Sequence, residues 1–404
     1  MTAAGPVDRY PALDGFRALA MLSVFSFHSV LRSSELAFDK WRLLPGVVWY
    51  GNAIMANLNL GVAMFFALSG FLIYRPFAAA HIEGRRPVDV RTYARRRAVR
   101  IYPAYWLVFL VLLATGAFAG ITALQVVLNL LLVQTWFGVS AKSGMGQAWT
   151  LVVEVAFYAF VPLWSIVMRR IARGRDALRF EIAGAVLLIV VGFAVSWSNF
   201  QHHAPFWYSA FLPHLAALAP GMLLAIVSVK ASSDQQWGER LSRGGRYPIL
   251  WWLAAAAVFW FLCTRAVSNP FFTPDIHGLG WQDMLQPVVA FLLLTPLVIA
   301  PRAPGALHRM LSWRVIAWLG VISYGLYLWH IRIINLDLVQ RVMQHSGRGR
   351  GYAALLAGTL LALGLTSLVA AASWYGLERP LIRRAQRRPE GVSPRLAAGR
   401  QSDR

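Results

Sequence analysis

Residues 58–77 read LNLGVAMFFALSGFLIYRPF, and no charge interrupts them before Arg75. A helix that crosses the hydrocarbon core of a bilayer needs about 20 mostly apolar residues, and this stretch supplies them. Ten runs along the chain meet the same requirement: 13–31, 58–77, 101–119, 150–168, 181–199, 209–229, 249–267, 282–300, 314–334 and 352–376. The expected fold is therefore all-α, a polytopic transmembrane helix bundle of about ten spans, multi-pass in the cell membrane. A further apolar stretch, 121–136, is short and can be read as a span or as a helix lying in the interface.

Composition agrees. Of 404 residues, 58% are hydrophobic and only 14% charged, against roughly 25% charged in soluble domains. The net charge of +22 does not imply nucleic-acid binding, because the basic residues lie in short clusters between apolar runs, where they hold orientation. A single cysteine, Cys263, excludes an internal disulfide and a cysteine metal cage. The first apolar run contains Arg17 and has no convincing small-residue cleavage site, so it reads as a retained span.

Basic residues set the direction. With ten spans and a cytoplasmic N-terminus, the inner segments 78–100, 169–180, 230–248, 301–314 and 377–404 carry seven, five, four, three and eight Lys or Arg. The outer segments 32–57, 120–149, 200–208, 265–281 and 331–351 carry three, one, none, one and four. Counting 121–136 as a span would put later basic loops outside, against the positive-inside rule. Both termini are expected to be cytoplasmic, with one transmembrane domain over 1–385 and a disordered basic tail over 386–404. Segment 331–351, with Arg332, Arg341, Arg348 and Arg350, departs from the pattern. Pro213, Pro220, Pro287 and Pro296 are expected to kink their helices.

Ionisable side chains inside a bilayer are costly and usually face an interior cavity. In the first run, LDGFRALAMLSVFSFH, Arg17 and His28 are eleven residues apart. That separation is three helical turns plus about 20°, so they share a face about 16.5 Å apart along the axis. The bland alternative is an Arg17 anchor at the inner surface and an interfacial His28. The fourth run, QAWTLVVEVAFYAFVP, places Glu154 about one turn below the outer surface, near the expected depth of His28, where a carboxylate could orient the imidazole. The ninth, ISYGLYLWH, places His330 near the outer end, beside the possible aromatic belt of Tyr324, Tyr327 and Trp329. In FFALSGFLI, Ser69 and Gly70 suit close helix packing, with a substrate-path role for Ser69 as the alternative. On the inner side Arg97 and Arg100, three apart in RRRAVRIYP, could join Arg75 and Arg17 in a basic cup for phosphate oxygens. Positive-inside anchoring is the plain alternative for this cluster.

The strings LDGFRALAMLSVFSFH, FFALSGFLI, RRRAVRIYPAYW, WTLVVEVAFY, SYGLYLWH and the terminal ERP, in this order from about residue 10 to 385, resemble the acyltransferase-3 family of integral membrane O-acyltransferases. The resemblance implies transfer of an acyl group, often acetyl, from cytoplasmic acyl-CoA to a hydroxyl of a glycan, a glycolipid or a hydrophobic, macrolide-like natural product, without a metal. It assigns Arg17 and His28 to the Arg–x10–His motif, Arg97 and Arg100 to the RxxR motif, and Glu154 to the acid of the third string's successor, WTLVVE. The expected catalytic set is then His28, Glu154 and Arg17. Acyl-CoA would be held by Arg17, Arg75, Arg97 and Arg100, and Ser69, Tyr324 and His330 would lie on the substrate path. Some members add a soluble esterase-like domain, which is not expected here. The rival readings are a transporter or flippase of an envelope glycoconjugate, and a scaffold. The soluble-type acyltransferase motif, His followed four residues later by Asp, is absent, since His28 is followed by SVLRS.

Overall fold

The computed structural model describes residue 10 and residues 12–37, 53–138, 144–173, 175–202, 211–265, 276–301, 305–344 and 351–386. The expected disordered tail lies outside these residues, apart from Gln386. Helices follow in the order α1 (Leu13–Ala37), α2 (Leu60–Ile82), α3 (Val90–Ala114), α4 (Ala123–Leu130), α5 (Trp149–Ile171), α6 (Ala177–His202), α7 (Leu215–Ser233) and α8 (Gln235–Gly244). Then come α9 (Pro248–Arg265), α10 (Ile276–Ile299), α11 (Ala306–Leu311), α12 (Arg314–Val321), α13 (Ser323–Ile334), α14 (Asp337–Gln344), α15 (Gly351–Ser373), a π-helical turn (Trp374–Glu378) and α16 (Arg379–Gln386). There is no strand among the described residues.

Among the described residues eight helices are long and apolar enough to cross a membrane, and α12 with α13 makes a ninth if that bent pair is one span. The long helix α1 is not among them, because Asp14, Arg17 and His28 lower its hydropathy. The chain is a multi-pass membrane protein. Its outer faces carry large apolar side chains, among them Leu110, Leu163, Val190, Leu253 and Leu368, all more than a third exposed. A soluble protein would bury most of them. The helix α4 has eight residues, about 12 Å of rise, and so does not span. A capping box closes its N-terminus: Thr122 accepts from the Gln125 N–H, and the Gln125 side chain accepts from the Thr122 N–H.

The run 314–334, expected as one span, is not a continuous helix. It breaks at Ile322, where α12 and α13 meet at 75°. Hydropathy stays high through the break, so the pattern gives no warning of it. Broken helices are tolerated at membrane depth where protein or a cavity surrounds them, and Ser323 at the break is buried. Pro220, Pro287 and Pro296 lie inside α7 and α10, whereas Pro213 sits in the turn before α7.

At the centre, α2 packs along α7, and α1 packs against α2, α12 and α13. Close approach needs small residues. At Gly320 in α12 a side chain would collide with the Asp14 backbone of α1. At Gly70 in α2 it would meet the Leu218 carbonyl of α7, so the packing reading of Gly70 holds. This arrangement places the polar residues of α1, α2, α3, α5 and α13 around a common interior.

Candidate active site

Two adjoining cavities occupy that interior. The smaller, about 110 Å³, is lined by Arg17, Ser69, Arg97, Arg100, Glu154, Tyr158, Ser323 and Tyr324 among others. The larger, about 530 Å³, is lined by His28, Gln147, Trp149, His214, Asp283 and several amides. Val62, Phe66 and Tyr327 line both and form the wall between them.

The smaller cavity is built on charge. Arg17 pairs with Asp14 one turn earlier, Nη1 to Oδ1 2.7 Å, and lies within electrostatic reach of Arg100 and Glu154. The Arg97 guanidinium sits 5.6 Å from the ring centres of both Tyr93 and Tyr158. Such a cation–π sandwich holds the planar group in one orientation. Its Nε is buried and bonds to no protein atom. The Tyr158 hydroxyl donates to Glu154 Oε1 at 2.6 Å, and Ser69 Oγ lies 3.5 Å from the same oxygen. The first turn of α13 borders the cavity through Ser323 and Tyr324, and a helix N-terminus carries partial positive charge. Tyr324 is held by its hydroxyl donating to the Ile101 carbonyl at 2.8 Å. Behind Arg100, within electrostatic reach, lies Glu378 of the π turn, which accepts a hydrogen bond from Ser373 Oγ at 3.0 Å.

The larger cavity is lined by amides, two histidines and Asp283, with no arginine among the described residues. Gln286 Nε2 donates to Asn59 Oδ1 (2.6 Å), Asn59 Nδ2 to Gln282 Oε1 (3.0 Å), and Gln282 Nε2 to Asn57 Oδ1 (3.0 Å). This relay ties α10 to the turn before α2. Trp149 and His214 pack ring to ring at 5.2 Å. His28 enters from α1, its Nδ1 2.9 Å from the Val24 carbonyl. The Tyr327 hydroxyl donates to the Gln147 carbonyl at 2.7 Å and lies 2.6 Å from Thr150 Oγ1, which fixes the wall.

The structure places three of these residues differently from the sequence reading. Glu154 does not partner His28: its bonds go to Tyr158 and Ser69, in the arginine-lined cavity, whereas His28 contacts Val24 and His330. The direction in which Glu154 points around α5 was not legible in the sequence. Arg75 is not part of the basic cup. Its Nε donates to Ser228 Oγ of α7 at 3.2 Å, and it lies over the Tyr10 ring. His330, placed on the substrate path, lines neither cavity and is fully buried behind His28. Ser69 and Tyr324 do face the smaller cavity. Sequence reading missed Tyr158, whose signal was its position four residues after Glu154 on one helix. It also missed the amide relay, which joins distant segments and leaves no local pattern. Among the described residues no group of three or more His, Cys, Asp or Glu could hold a metal ion.

The class is a multi-helix membrane protein with an arginine-lined cavity abutting a second polar cavity that holds His28. Residues 10–376 match the acyltransferase-domain family known as acyltransferase-3, and the chain belongs to it. It is 29% identical to an acyltransferase of Streptomyces mycarofaciens, covering 96% of each chain. It is 30% identical to the exopolysaccharide production protein ExoZ of Rhizobium meliloti, over 83% of this chain and 94% of that one. It is 22% identical to the peptidoglycan O-acetyltransferase OatA of Listeria monocytogenes over 81% of this chain, and there spans about half the relative's length, 49%. No solved structure matches the chain.

Proposed function

We propose that the protein is a membrane O-acyltransferase that moves an acyl group, acetyl in the first instance, from cytoplasmic acyl-CoA to a hydroxyl of a glycan, glycolipid or macrolide-like acceptor. The observation that carries this reading is the pair of cavities meeting at Val62, Phe66 and Tyr327, one cationic and one lined by His28. The family and the named relatives, which include an acyltransferase and an O-acetyltransferase, support the chemistry.

In this reading the arginine-rich side is cytoplasmic, as the basic-residue count expects. Arg17, Arg97 and Arg100 attract the anionic donor, and the thioester end enters the smaller cavity. A space of about 110 Å³ suits a short acyl group and not a long chain. The acceptor occupies the larger cavity, whose 530 Å³ lies within the usual range for ligand pockets of roughly 300–1,000 Å³. His28 takes the acceptor's hydroxyl proton as the oxygen attacks the thioester carbonyl, and returns it to the departing CoA sulfur. A relay through an acyl-imidazole on His28 uses the same residue, and exchange of labelled CoA into acetyl-CoA without acceptor marks that route. Glu154 with Tyr158 sets the charge balance of the arginine cluster.

The direct test is CoA release by the purified protein in proteoliposomes, given acetyl-CoA and candidate acceptors. Mass spectrometry of envelope glycolipids and secreted metabolites, with and without the gene, identifies the acceptor by lost acyl increments. The broken α12–α13 pair also fits a transporter. Substrate translocation with no CoA release in any acceptor panel selects that alternative.

Two variants separate the cavities' roles. Arg97→Ala is expected to raise the KM for acetyl-CoA by about tenfold to a hundredfold, the value of a lost charge-assisted hydrogen bond. Its kcat should change little, and an unchanged KM removes Arg97 from donor binding. Tyr327→Ala widens the place where the cavities meet and the acceptor oxygen reaches the thioester. It is expected to raise acceptor-independent acetyl-CoA hydrolysis several-fold, because water then reaches the thioester. Equal background hydrolysis in the variant and the wild type would show that Tyr327 is no barrier.

A further inference from the structure

Behind His28 stands a second imidazole that the mechanism has not used. His330 is fully buried on α13. Its Nδ1 lies 2.6 Å from the Tyr327 carbonyl, and its Nε2 lies 3.3 Å from His28 Nδ1. The two rings meet edge to face with centres 4.9 Å apart.

These contacts fix where the protons are. A carbonyl oxygen can only accept, so His330 carries its hydrogen on Nδ1, facing Tyr327. The same argument at Val24, 2.9 Å away, puts the His28 hydrogen on Nδ1. A neutral His330 then has a bare Nε2, which accepts. The His28 N–H is shared between the Val24 carbonyl and that nitrogen, and His28 Nε2 is left as the lone pair. His28 lines the larger cavity and His330 does not, so only His28 can meet a ligand there.

We infer that His330 is a positioning residue: held by the Tyr327 carbonyl, it keeps His28 in the Nδ1–H tautomer and leaves Nε2 as the base. This deepens the acyltransfer reading, on which its kinetic consequence rests. In hydrolases a carboxylate performs this orienting task. Here a neutral imidazole does so, which avoids burying a second carboxylate at membrane depth, a costly placement. It also assigns the task that sequence reading gave to Glu154. The residue whose carbonyl anchors His330 is the one whose ring walls off the two cavities, so a shift of Tyr327 would be felt at His28.

The test needs no acceptor. In full-length protein labelled with ¹⁵N-histidine and reconstituted in bilayers, His28 is assigned by the signal lost in His28→Asn. The ring-nitrogen shifts then report the tautomer. Wild type should show Nδ1–H. His330→Leu should show a mixed tautomer population, and His330→Gln, whose Oε1 can accept the same hydrogen bond, should restore it. A wild-type His28 protonated on Nε2 overturns the proposal, as does an unchanged population in His330→Leu. If His330→Leu fails to fold, the wild-type spectrum and His330→Gln still decide: a mixed population in His330→Gln then counts against the proposal, and a wild-type-like one supports it. With an acceptor in hand, His330→Leu should lower kcat by about tenfold to a hundredfold, the scale of a misplaced catalytic group, at unchanged KM for acetyl-CoA. The expected spectra without any acyl transfer by the wild type would retain the positioning role and discard the acyltransfer reading.

Discussion

A His28→Ala protein is expected to retain its fold and lose acyl transfer by about a thousandfold, the usual contribution of a positioned general base. His28 is suited to the role because it opens into the larger cavity, which the Tyr327 wall also lines, whereas His214, the other histidine there, is stacked on Trp149. The acceptor hydroxyl is a weak nucleophile while its proton stays on, and an amide side chain cannot remove that proton, whereas an imidazole can. Folding should survive, because His28 is only partly buried and its one hydrogen bond to protein backbone is to the Val24 carbonyl of its own helix. The measurement is acceptor-dependent CoA release in proteoliposomes, with size-exclusion profiles and melting curves to show that the variant is folded. His28→Asn retains a polar group of similar reach without a usable base and should be equally inactive. Transfer at the wild-type rate by either folded variant would sink the central role of His28. A variant that keeps donor binding but loses transfer separates the two cavities' functions.

Much of the bundle was legible because the bilayer imposes a length. Runs such as 58–77 and 150–168 must be apolar for about 20 residues, and the helices α2 and α5 lie where those runs predict. The Arg17–His28 separation was legible as well, since it depends on one helix and the fixed pitch of that helix. The grouping of Arg17, Arg97 and Arg100 was legible too, but individual side-chain pairings across helices were not. Glu154 was matched to His28 by depth, yet a depth says nothing about the neighbour a side chain faces. The position of α5 beside α2 turns Glu154 toward Ser69 and the arginines. Arg75 was grouped with Arg97 for its charge, whereas α7 offers it Ser228. The break at Ile322 leaves no proline and no charge to mark it, and becomes visible only through Gly320 packing on the backbone at Asp14.

The same dependence on helix contacts makes Gly221→Val the substitution expected to damage the fold most. Helices α2 and α7 meet through Gly70 and Gly221. A Cβ at Gly70 would strike the Leu218 carbonyl oxygen, and one at Gly221 would strike the Ala67 carbonyl oxygen and crowd the Phe71 amide nitrogen. Both obstacles are backbone, so no side chain can swing aside, and the helices themselves must separate. Overpacking of this kind typically costs about 1–3 kcal/mol and more where backbone must move, against a total stability of about 5–15 kcal/mol. The loss extends to function because Ser69 precedes Gly70 and borders the arginine-lined cavity, while Ser228, seven residues after Gly221, holds Arg75. Valine at 221 should therefore lower the yield of monodisperse protein and the melting temperature, and reduce acyl transfer in whatever protein survives. Gly364→Ala on α15 is the control, since a Cβ there meets no atom within 4 Å and alanine is the better helix former by about 1 kcal/mol. A Gly221→Val protein that melts with the wild type would mean that α2 and α7 are not in backbone contact at this crossing.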